Sequence, residues 1–368
     1  MKITISFLII ISLQLISYIL SSSLQRKNKL KAKQSSFQIP ITWSPEPHGV
    51  INIGTPVQHV TVLFDAGAIL AWTFGSNAQC CKTPTSCIVC PPQPFNQTLS
   101  STYSTKNKPN IISFIDGQSN NGIYAYDTFQ LGNAPAIANF PVTIMLSASG
   151  IAPGSSGEVG MGYNYGSQTS SSYVQALYNS KQITSNLWAA YTPQTGSAYF
   201  QIGSYDTTSY PNLQWFPCNT ISMSWTVQYN SVNGIAAPSS TSYFVVDTGN
   251  TVISLPHSLN TTAFWSTISA NKCYLDINGN INCACKSASD INPLVLNLTS
   301  LTGSSTIQIS SKNLIKSMTN GICLTVLMYS QNPTLGTPWI TNNYMVFNYG
   351  SVSGGIGNIG MAPYSWAI

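Results

Sequence analysis

The sequence predicts an all-β, mostly antiparallel protein built from two related halves. Short alternating runs such as HVTVLFD, SAYFQIG and SWTVQYNSV are bounded by Gly, Pro, Asn and Ser, as is typical of strands joined by turns. Charged residues make up only 6% of the chain, while Gly, Tyr, Ser and Thr are abundant, which favours sheet over helix. Helix is expected only locally, at SSYVQALYNS and SKNLIKSM. A repeated motif relates the two halves.

The repeated motif is an apolar run that breaks into Asp-x-Gly. It occurs at VTVLFDAGAILAW around Asp65 and again at YFVVDTGNTVISLP around Asp247. Gly allows a tight turn, which directs the preceding carboxylate outward. One such segment alone would be an ordinary buried strand that ends in an Asp-containing turn. Because the motif is duplicated, packing of the halves about a pseudo-twofold axis would bring two carboxyl groups together.

Two carboxyl groups in close contact have a definite chemistry. Like charges a few ångströms apart do not both ionise readily, so the pair shares one proton. Such a pair can activate a water molecule while it protonates a carbonyl oxygen or a leaving amine. This is the chemistry of an aspartic protease.

From about Gly49 to Pro363 the chain resembles the pepsin-like (A1 family) eukaryotic aspartic peptidases. INIGTPVQHVTVLFDAGAILAW resembles their first active-site strand pair, and IISFIDGQSNNGIYAYDTFQLG resembles their flap hairpin. GEVGMGY and TLGTPWITNNYMVFN resemble the two apolar-Gly segments behind the catalytic loops, and GNIGMAP matches the closing strand. The resemblance implies a bilobal pepsin-like acid protease fold, with a cleft between two pseudo-symmetric lobes and catalysis by Asp65 and Asp247.

The catalytic loops depart from the family pattern at some positions. The resemblance implies four residues that support these loops: Gly67, Thr248, Gly249 and Asn250. Ala66 stands where the family has a hydroxyl that bonds to the opposite loop, so one side of this interlobe contact is expected to be missing. Ala68 and Asn250 stand where a hydroxyl usually supports the outer carboxylate oxygen. Asn250 can still donate through its amide.

The flap also departs from the family pattern. The resemblance assigns four residues to the flap and the substrate cleft: Trp72, Phe114, Asp116 and Gly117. Asp-Gly is a strong hairpin-turn signal, which favours a flap of some kind. Phe114 occupies the position of the family's flap Tyr, and its ring can close over a substrate but cannot bond to the Trp72 indole. An ordinary apolar strand residue is the alternative interpretation of Phe114.

The nine cysteines indicate disulfides. One group follows Trp72, where the family has a disulfide loop: Cys80, Cys81, Cys87 and Cys90. A second group lies in the other half: Cys273, Cys283, Cys285 and Cys323. We expect bridges within each group and none between them, since a bridge between lobes would restrict their motion. Cys218 is the odd cysteine. A zinc site at the first group is disfavoured because no spaced His completes it, so no metal and no cofactor is expected.

The formal charge of +5 comes from the amino terminus. Six of the 14 basic residues precede residue 34 and all nine acidic residues follow it, which disfavours a basic nucleic-acid-binding face. Residues 1–22 are predicted to be a signal peptide, with an uncleaved anchor as the alternative. Residues 23–45 are a short basic propeptide or a linker. Three sequons, at Asn96, Asn260 and Asn297, are consistent with a glycoprotein of the secretory pathway.

These observations predict an aspartic endopeptidase that hydrolyses polypeptide substrates, at acidic pH. We expect a monomer in the extracellular space or in a lysosomal or vacuolar lumen, without stable membrane insertion after signal cleavage. The amino-terminal lobe, with the flap, is expected over residues 46–205 and the carboxy-terminal lobe over 206–368. The alternative function is a catalytically weak or inactive homologue that binds peptides or acts as an inhibitor decoy. Retention of both Asp residues and of the Gly after each favours the enzyme.

Overall fold

The computed structural model describes residues 36–78, 93–113, 119–148, 155–163, 172–193, 195–219, 224–239, 242–350 and 356–365. Within these ranges 24 strands form one sheet of 13 strands and one of 11. Most strand pairs are antiparallel, so the predicted all-β, mostly antiparallel class is confirmed. The predicted signal peptide and the four cysteines Cys80, Cys81, Cys87 and Cys90 lie outside the described residues.

The first part of the chain contributes eleven strands: β1 (Phe37–Trp43), β2 (Pro47–Ile53), β3 (Gln58–Asp65), β4 (Ala71–Phe74), β5 (Ser104–Ser113), β6 (Ser119–Leu131), β7 (Ile137–Ala148), β8 (Gly157–Gly160), β9 (Leu187–Tyr191), β10 (Ala198–Ile202) and β11 (Gln214–Pro217). The second part contributes thirteen: β12 (Thr226–Val232), β13 (Ile235–Ala236), β14 (Tyr243–Val246), β15 (Ile253–Pro256), β16 (Cys273–Leu275), β17 (Asn280–Ala284), β18 (Leu294–Ser300), β19 (Gly303–Ile309), β20 (Ile315–Thr319), β21 (Ile322–Ser330), β22 (Thr334–Leu335), β23 (Asn343–Asn348) and β24 (Asn358–Pro363).

The larger sheet joins strands from both parts of the chain. Its order is β11-β24-β23-β9-β10-β1-β2-β3-β8-β4-β7-β6-β5. Strand β1 lies inside residues 23–45, the predicted propeptide or linker, and pairs with β10 and β2. Its sequence FQIPITW buries Phe37, Ile39 and Ile41 and exposes the residues between them, which is the period of a strand with one face on a core. The folded sheet therefore begins before residue 46.

The smaller sheet lies wholly in the second part of the chain. Its order is β16-β17-β21-β15-β22-β14-β12-β18-β19, with β13 beside β12 and β20 beside β21. Disulfides join Cys273 to Cys283 and Cys285 to Cys323, so the bridges predicted within the second cysteine group are confirmed. Cys218 is buried and free.

Helices are few and short. They are α1 (Tyr173–Asn179), α2 (Thr262–Ile268), α3 (Ser311–Leu314) and α4 (Thr337–Ile340), with 3-10 turns at Gln97–Leu99, His257–Leu259 and Ala288–Asp290. The expected helix at SSYVQALYNS is α1, which Ser172 caps. The expected helix at SKNLIKSM was wrong beyond its first turn, because Ile315–Thr319 pairs with β21 as a strand. None of the helices in the described ranges is long and apolar enough to cross a membrane.

Two matching three-strand units support the repeated Asp-x-Gly turns. In one, β8 is parallel to β3 and antiparallel to β4. In the other, β22 is parallel to β14 and antiparallel to β15. The inserted strands come from the two apolar-Gly segments of the sequence: β8 ends at Gly160, and Gly336 directly follows β22. A Cβ atom on either would lie within 2.7 Å of backbone atoms of the neighbouring loop.

The predicted flap hairpin is built from β5 and β6. These antiparallel strands pair as far as Ser113 and Ser119. Phe114, Asp116 and Gly117 lie between them, outside the described residues, so their assignment stays a prediction.

Candidate active site

The carboxyl groups of Asp65 and Asp247 each contact the opposite loop. Asp65 ends β3, and Asp247 follows directly on β14. A Cβ atom on Gly67 would lie 2.7 Å from Cγ of Asp247, and one on Gly249 would lie 2.8 Å from Cγ of Asp65. Only glycine fits at such an approach, so each Gly is required by the carboxyl group of the other half. The near-equal distances are those of a pseudo-twofold pair.

Each carboxyl group also accepts a hydrogen bond within its own turn. The Gly67 N–H donates to Oδ1 of Asp65 at 2.6 Å, and the Gly249 N–H donates to Oδ1 of Asp247 at 2.8 Å. A backbone donor two residues along the chain holds the side chain in one orientation. The two Asp-x-Gly turns are therefore alike in orientation as well as in sequence.

The bond between the loops is one-sided, as the sequence leads us to expect. The Thr248 hydroxyl donates to the Phe64 carbonyl at 2.7 Å and accepts from the Ala66 N–H at 2.7 Å. Thr248 and Ala66 are fully buried. The methyl group of Ala66 can make neither bond in return, so among the described residues the bonds from a side chain of one loop to the backbone of the other come from Thr248.

The third positions of the two loops also differ. The Ala68 carbonyl accepts the Gly162 N–H at 2.7 Å, and its methyl group offers no donor to Asp65. The Asn250 side-chain oxygen accepts the Val252 N–H at 3.0 Å. Among the described residues, Asn250 makes no side-chain bond to Asp247, so the donation expected from its amide is not part of this geometry. A turn bond within its own loop holds Asn250 instead.

The environment of the pair favours one shared proton. Burial raises the pKa of Asp65 well above its usual range, and the carboxyl groups of Asp247 and Glu158 raise it further. The Gly67 N–H acts in the opposite direction but more weakly. A hydrogen bond with the Asp247 side chain also raises this pKa, as expected when one carboxyl group donates its proton to the other.

A third carboxyl group, that of Glu158, belongs to this neighbourhood and escaped the sequence analysis. Glu158 lies on β8 beside Trp72 and is only 4% exposed. Burial, then the charge of Asp247, raise its pKa to about 8, while the Trp72 indole lowers it. That indole contact falls short of a hydrogen bond, since Oε1 of Glu158 and Nε1 of Trp72 both lack a partner. The signal in the sequence was a lone acid in an apolar run, GEVGMGY.

A fourth acid, Glu46, lies at the edge of the group. It is half-buried in the turn between β1 and β2, and burial raises its pKa. The charge of His48 lowers this pKa, and that of Asp247 raises it again. Within the described residues, no three His, Cys, Asp or Glu side chains are arranged to hold a metal ion.

Two like halves with facing Asp-x-Gly turns define the bilobal class of aspartic endopeptidases. The model of the eukaryotic aspartyl protease family matches residues 48–359, and the chain belongs to this family. The pepsin-like fold predicted from the resemblance is thereby confirmed.

Curated relatives agree with this assignment. The chain is 27% identical to Rhizopuspepsin-4 of Rhizopus niveus over 336 residues, which cover 86% of this chain and 78% of the relative. It is 31% identical to pepsin A of Canis lupus familiaris over 229 residues, or 57% of this chain and 55% of that pepsin. It is 28% identical to chymosin of Bos taurus over 250 residues, or 62% of each. The match therefore spans little more than half of the mammalian relatives.

Proposed function

We propose that this protein hydrolyses peptide bonds with a water molecule held between Asp65 and Asp247. The observation that supports this most directly is the reciprocal contact in which each carboxyl group lies against the glycine of the other loop. This contact brings two acids together in a buried setting, where one shared proton is favoured. Family membership supports the same reaction on polypeptide substrates.

In the proposed reaction the pair supplies one base and one acid. The ionised carboxylate takes a proton from the water, whose oxygen attacks the scissile carbonyl carbon. The protonated carboxyl donates its proton to the carbonyl oxygen. The tetrahedral intermediate then collapses: one of its hydroxyl groups returns a proton to the ionised carboxylate, the C–N bond breaks, and the amine leaves with the proton that the other carboxyl group took from the water. Gly67 and Gly249 hold the carboxyl groups through their N–H bonds. We assign Phe114, Asp116 and Gly117 to the flap, and Trp72 to the cleft beneath it.

The pair is active when it binds one of its two possible protons, which predicts a bell-shaped pH profile. Because the pKa of Asp65 is raised, we expect the shared proton to be retained through the acidic range. The expected activity is therefore at acidic pH.

The remaining assignments complete this proposal. We propose that residues 1–22 direct the chain into the secretory pathway and that Asn96, Asn260 and Asn297 carry glycans. The lobes divide near residue 205, with β1 adding to the sheet of the amino-terminal part. A monomer in the extracellular space or in a lysosomal or vacuolar lumen is expected.

One experiment tests the proposal. The purified protein is incubated with an unstructured protein at several acidic pH values, with and without a transition-state peptide inhibitor. We expect cleavage that the inhibitor abolishes. Binding of the inhibitor without cleavage at any pH would overturn the proposal in favour of a peptide-binding homologue, while cleavage that the inhibitor leaves unchanged would point to another active site.

A further inference from the structure

Glu158 lies on the face of its sheet that carries the active site. Successive residues of a strand point to opposite faces. One face packs on the core through three neighbouring residues of β3, β4 and β8: Phe64, Ala71 and Val159. Glu158 and its partners Leu63 and Trp72 therefore point the other way, and so does Asp65, two residues beyond Leu63. Strand spacing separates the Cα atoms of Glu158 and Asp65 by about 8 Å.

The polar atoms on this face have unused bonding capacity. Oε1 of Glu158 and Nε1 of Trp72 are buried without a hydrogen-bond partner, although their residues are paired across β8 and β4. A buried carboxyl oxygen without a partner destabilises the folded state. An unpartnered acceptor beside Asp65 therefore points to a group that arrives with the substrate.

The surroundings of Glu158 favour a cation in that role. Four of the eight acidic residues in the described ranges act on one another: Glu46, Asp65, Glu158 and Asp247. The described part of the chain contains no arginine, and only His48, beside Glu46, lowers the pKa of any of these carboxyl groups by its charge. Glu158 thus has no counter-ion from the described chain.

The pseudo-symmetric position in the other half has no such group. Strand β22 pairs Thr334 with Val245 and Leu335 with Val246, as β8 pairs Glu158 with Leu63 and Val159 with Phe64. Thr334 therefore corresponds to Glu158. Its hydroxyl donates to the Asn332 carbonyl at 2.9 Å, which satisfies it locally. The fold does not require an acid at this place in the unit.

We propose that Glu158 is a specificity-determining residue that pairs with the basic side chain of a Lys or Arg beside the scissile bond of the substrate. This inference rests on the proposed peptidase function. A long side chain with a charged end suits a carboxyl group that is nearly buried, because its apolar stem can cross the intervening space.

The proposal makes the preference depend on pH. The groups that face Glu158 from neighbouring elements are Asp65 at the end of β3, Trp72 on β4 and Asp247 from the other half. Free Glu158 is neutral below about pH 8. Pairing with a cation then releases its proton, so the preference for Lys should strengthen as pH rises, by at most about tenfold per pH unit.

The test compares two peptide substrates that differ only in Lys against norleucine next to the scissile bond. The ratio of their kcat/KM values is measured from pH 4 to pH 7 for the wild type, Glu158→Gln, Glu158→Leu and the control Asp276→Asn. Asp276 is a half-buried acid of the β16–β17 turn, where its carboxylate accepts the N–H groups of Asn278 and Asn280. We expect the wild type and the control to prefer Lys by up to about 10-fold at pH 7 and to approach a ratio of one at pH 4, where ionising Glu158 costs more than a charged hydrogen bond provides.

We expect Glu158→Gln to bring the ratio close to one and to remove its pH dependence, and Glu158→Leu to favour norleucine. Equal ratios in the wild type and Glu158→Gln would overturn the proposal. Calorimetry with a non-cleavable Lys peptide in two buffers measures the released proton separately. If the Glu158 variants cleave both peptides as the wild type does, only this inference fails. If no peptide is cleaved but binding of the Lys peptide releases a proton that depends on Glu158, only the proposed hydrolysis fails.

Discussion

The Asp65 loop (residues 65–68) and the Asp247 loop (residues 247–250) have matching backbone hydrogen bonds but different side chains. In both, a glycine N–H donates to the carboxylate and the glycine itself lies against the opposite acid. Only the second loop has a hydroxyl, Thr248, that bonds across to the first. Only the first has a buried third acid, Glu158, on the strand beside it. The geometry is therefore symmetric while the electrostatics are not.

This difference indicates which features the fold itself imposes. The glycines cannot vary, because a Cβ atom would overlap the partner carboxyl group. The positions around them can vary: residue 66 has no hydroxyl, and its N–H still donates to Thr248. The two loops differ where packing allows different side chains. One such difference, Glu158, raises the pKa of Asp65.

The largest expected effect tests whether the two loops are equal in catalysis. Asp65→Asn and Asp247→Asn should each lower peptide cleavage on the order of 10⁴-fold or more, because members of a cooperating pair do not act singly. The measurement is kcat/KM on an unstructured peptide, with folding checked by thermal unfolding. Near-normal activity in Asp247→Asn would show that the pair is wrongly assigned.

The second effect tests the geometric symmetry. Gly67→Ala and Gly249→Ala should each lower kcat/KM about 100-fold, because displacing a catalytic carboxyl group by about an ångström has that consequence. Gly279→Ala is the control: its turn is open, with a φ of +81°, so it should lower stability slightly and leave activity unchanged. A much smaller loss in one of the two loop variants would mean that its partner acid can move aside.

The third prediction concerns the pH dependence of stability and tests Glu158, the acid without a counterpart in the other half. Between the ordinary pKa of 4.5 and the folded value of about 8, folded Glu158 keeps a proton that the unfolded chain loses. The contribution of Glu158 to the free energy of unfolding is therefore complete below pH 4.5. It is lost as the pH rises to 8, a decrease on the order of a few kcal/mol. Urea unfolding at pH 4, 6 and 8 should show a smaller fall in Glu158→Gln than in the wild type. Parallel falls in the two proteins would locate the pH dependence elsewhere.

The smallest expected effect comes from substitutions that restore the missing hydroxyls. Ala68→Ser should move the acidic limb of kcat/KM to lower pH, and the double change with Ala66→Thr should keep this shift while it adds a bond to the opposite loop. A donor stabilises the ionised carboxylate and lowers its pKa, and such a bond is worth about 1.5–3 kcal/mol, enough for a shift of about one pH unit. Superimposable acidic limbs in the wild type and both variants would mean that the Gly67 N–H already supplies the needed support.

The class of fold, the family, the two Asp-x-Gly turns and the second disulfide group were all predictable from the amino-acid sequence. These features have local signals, since strand alternation, turn glycines and cysteine spacing are properties of neighbouring residues. The loss of one side of the contact between the loops also followed from a single residue, Ala66.

Features that depend on contacts between distant parts of the chain emerged from the folded structure. Residues 315–319 form a strand because they pair with β21. The segment FQIPITW belongs to the larger sheet because it pairs with β10. The Asn250 side chain accepts the Val252 N–H, a local bond that the residue type alone did not reveal. Glu158 lies near Asp65 because β8 inserts between β3 and β4, and its raised pKa follows from burial that adjacent residues in the sequence do not reveal.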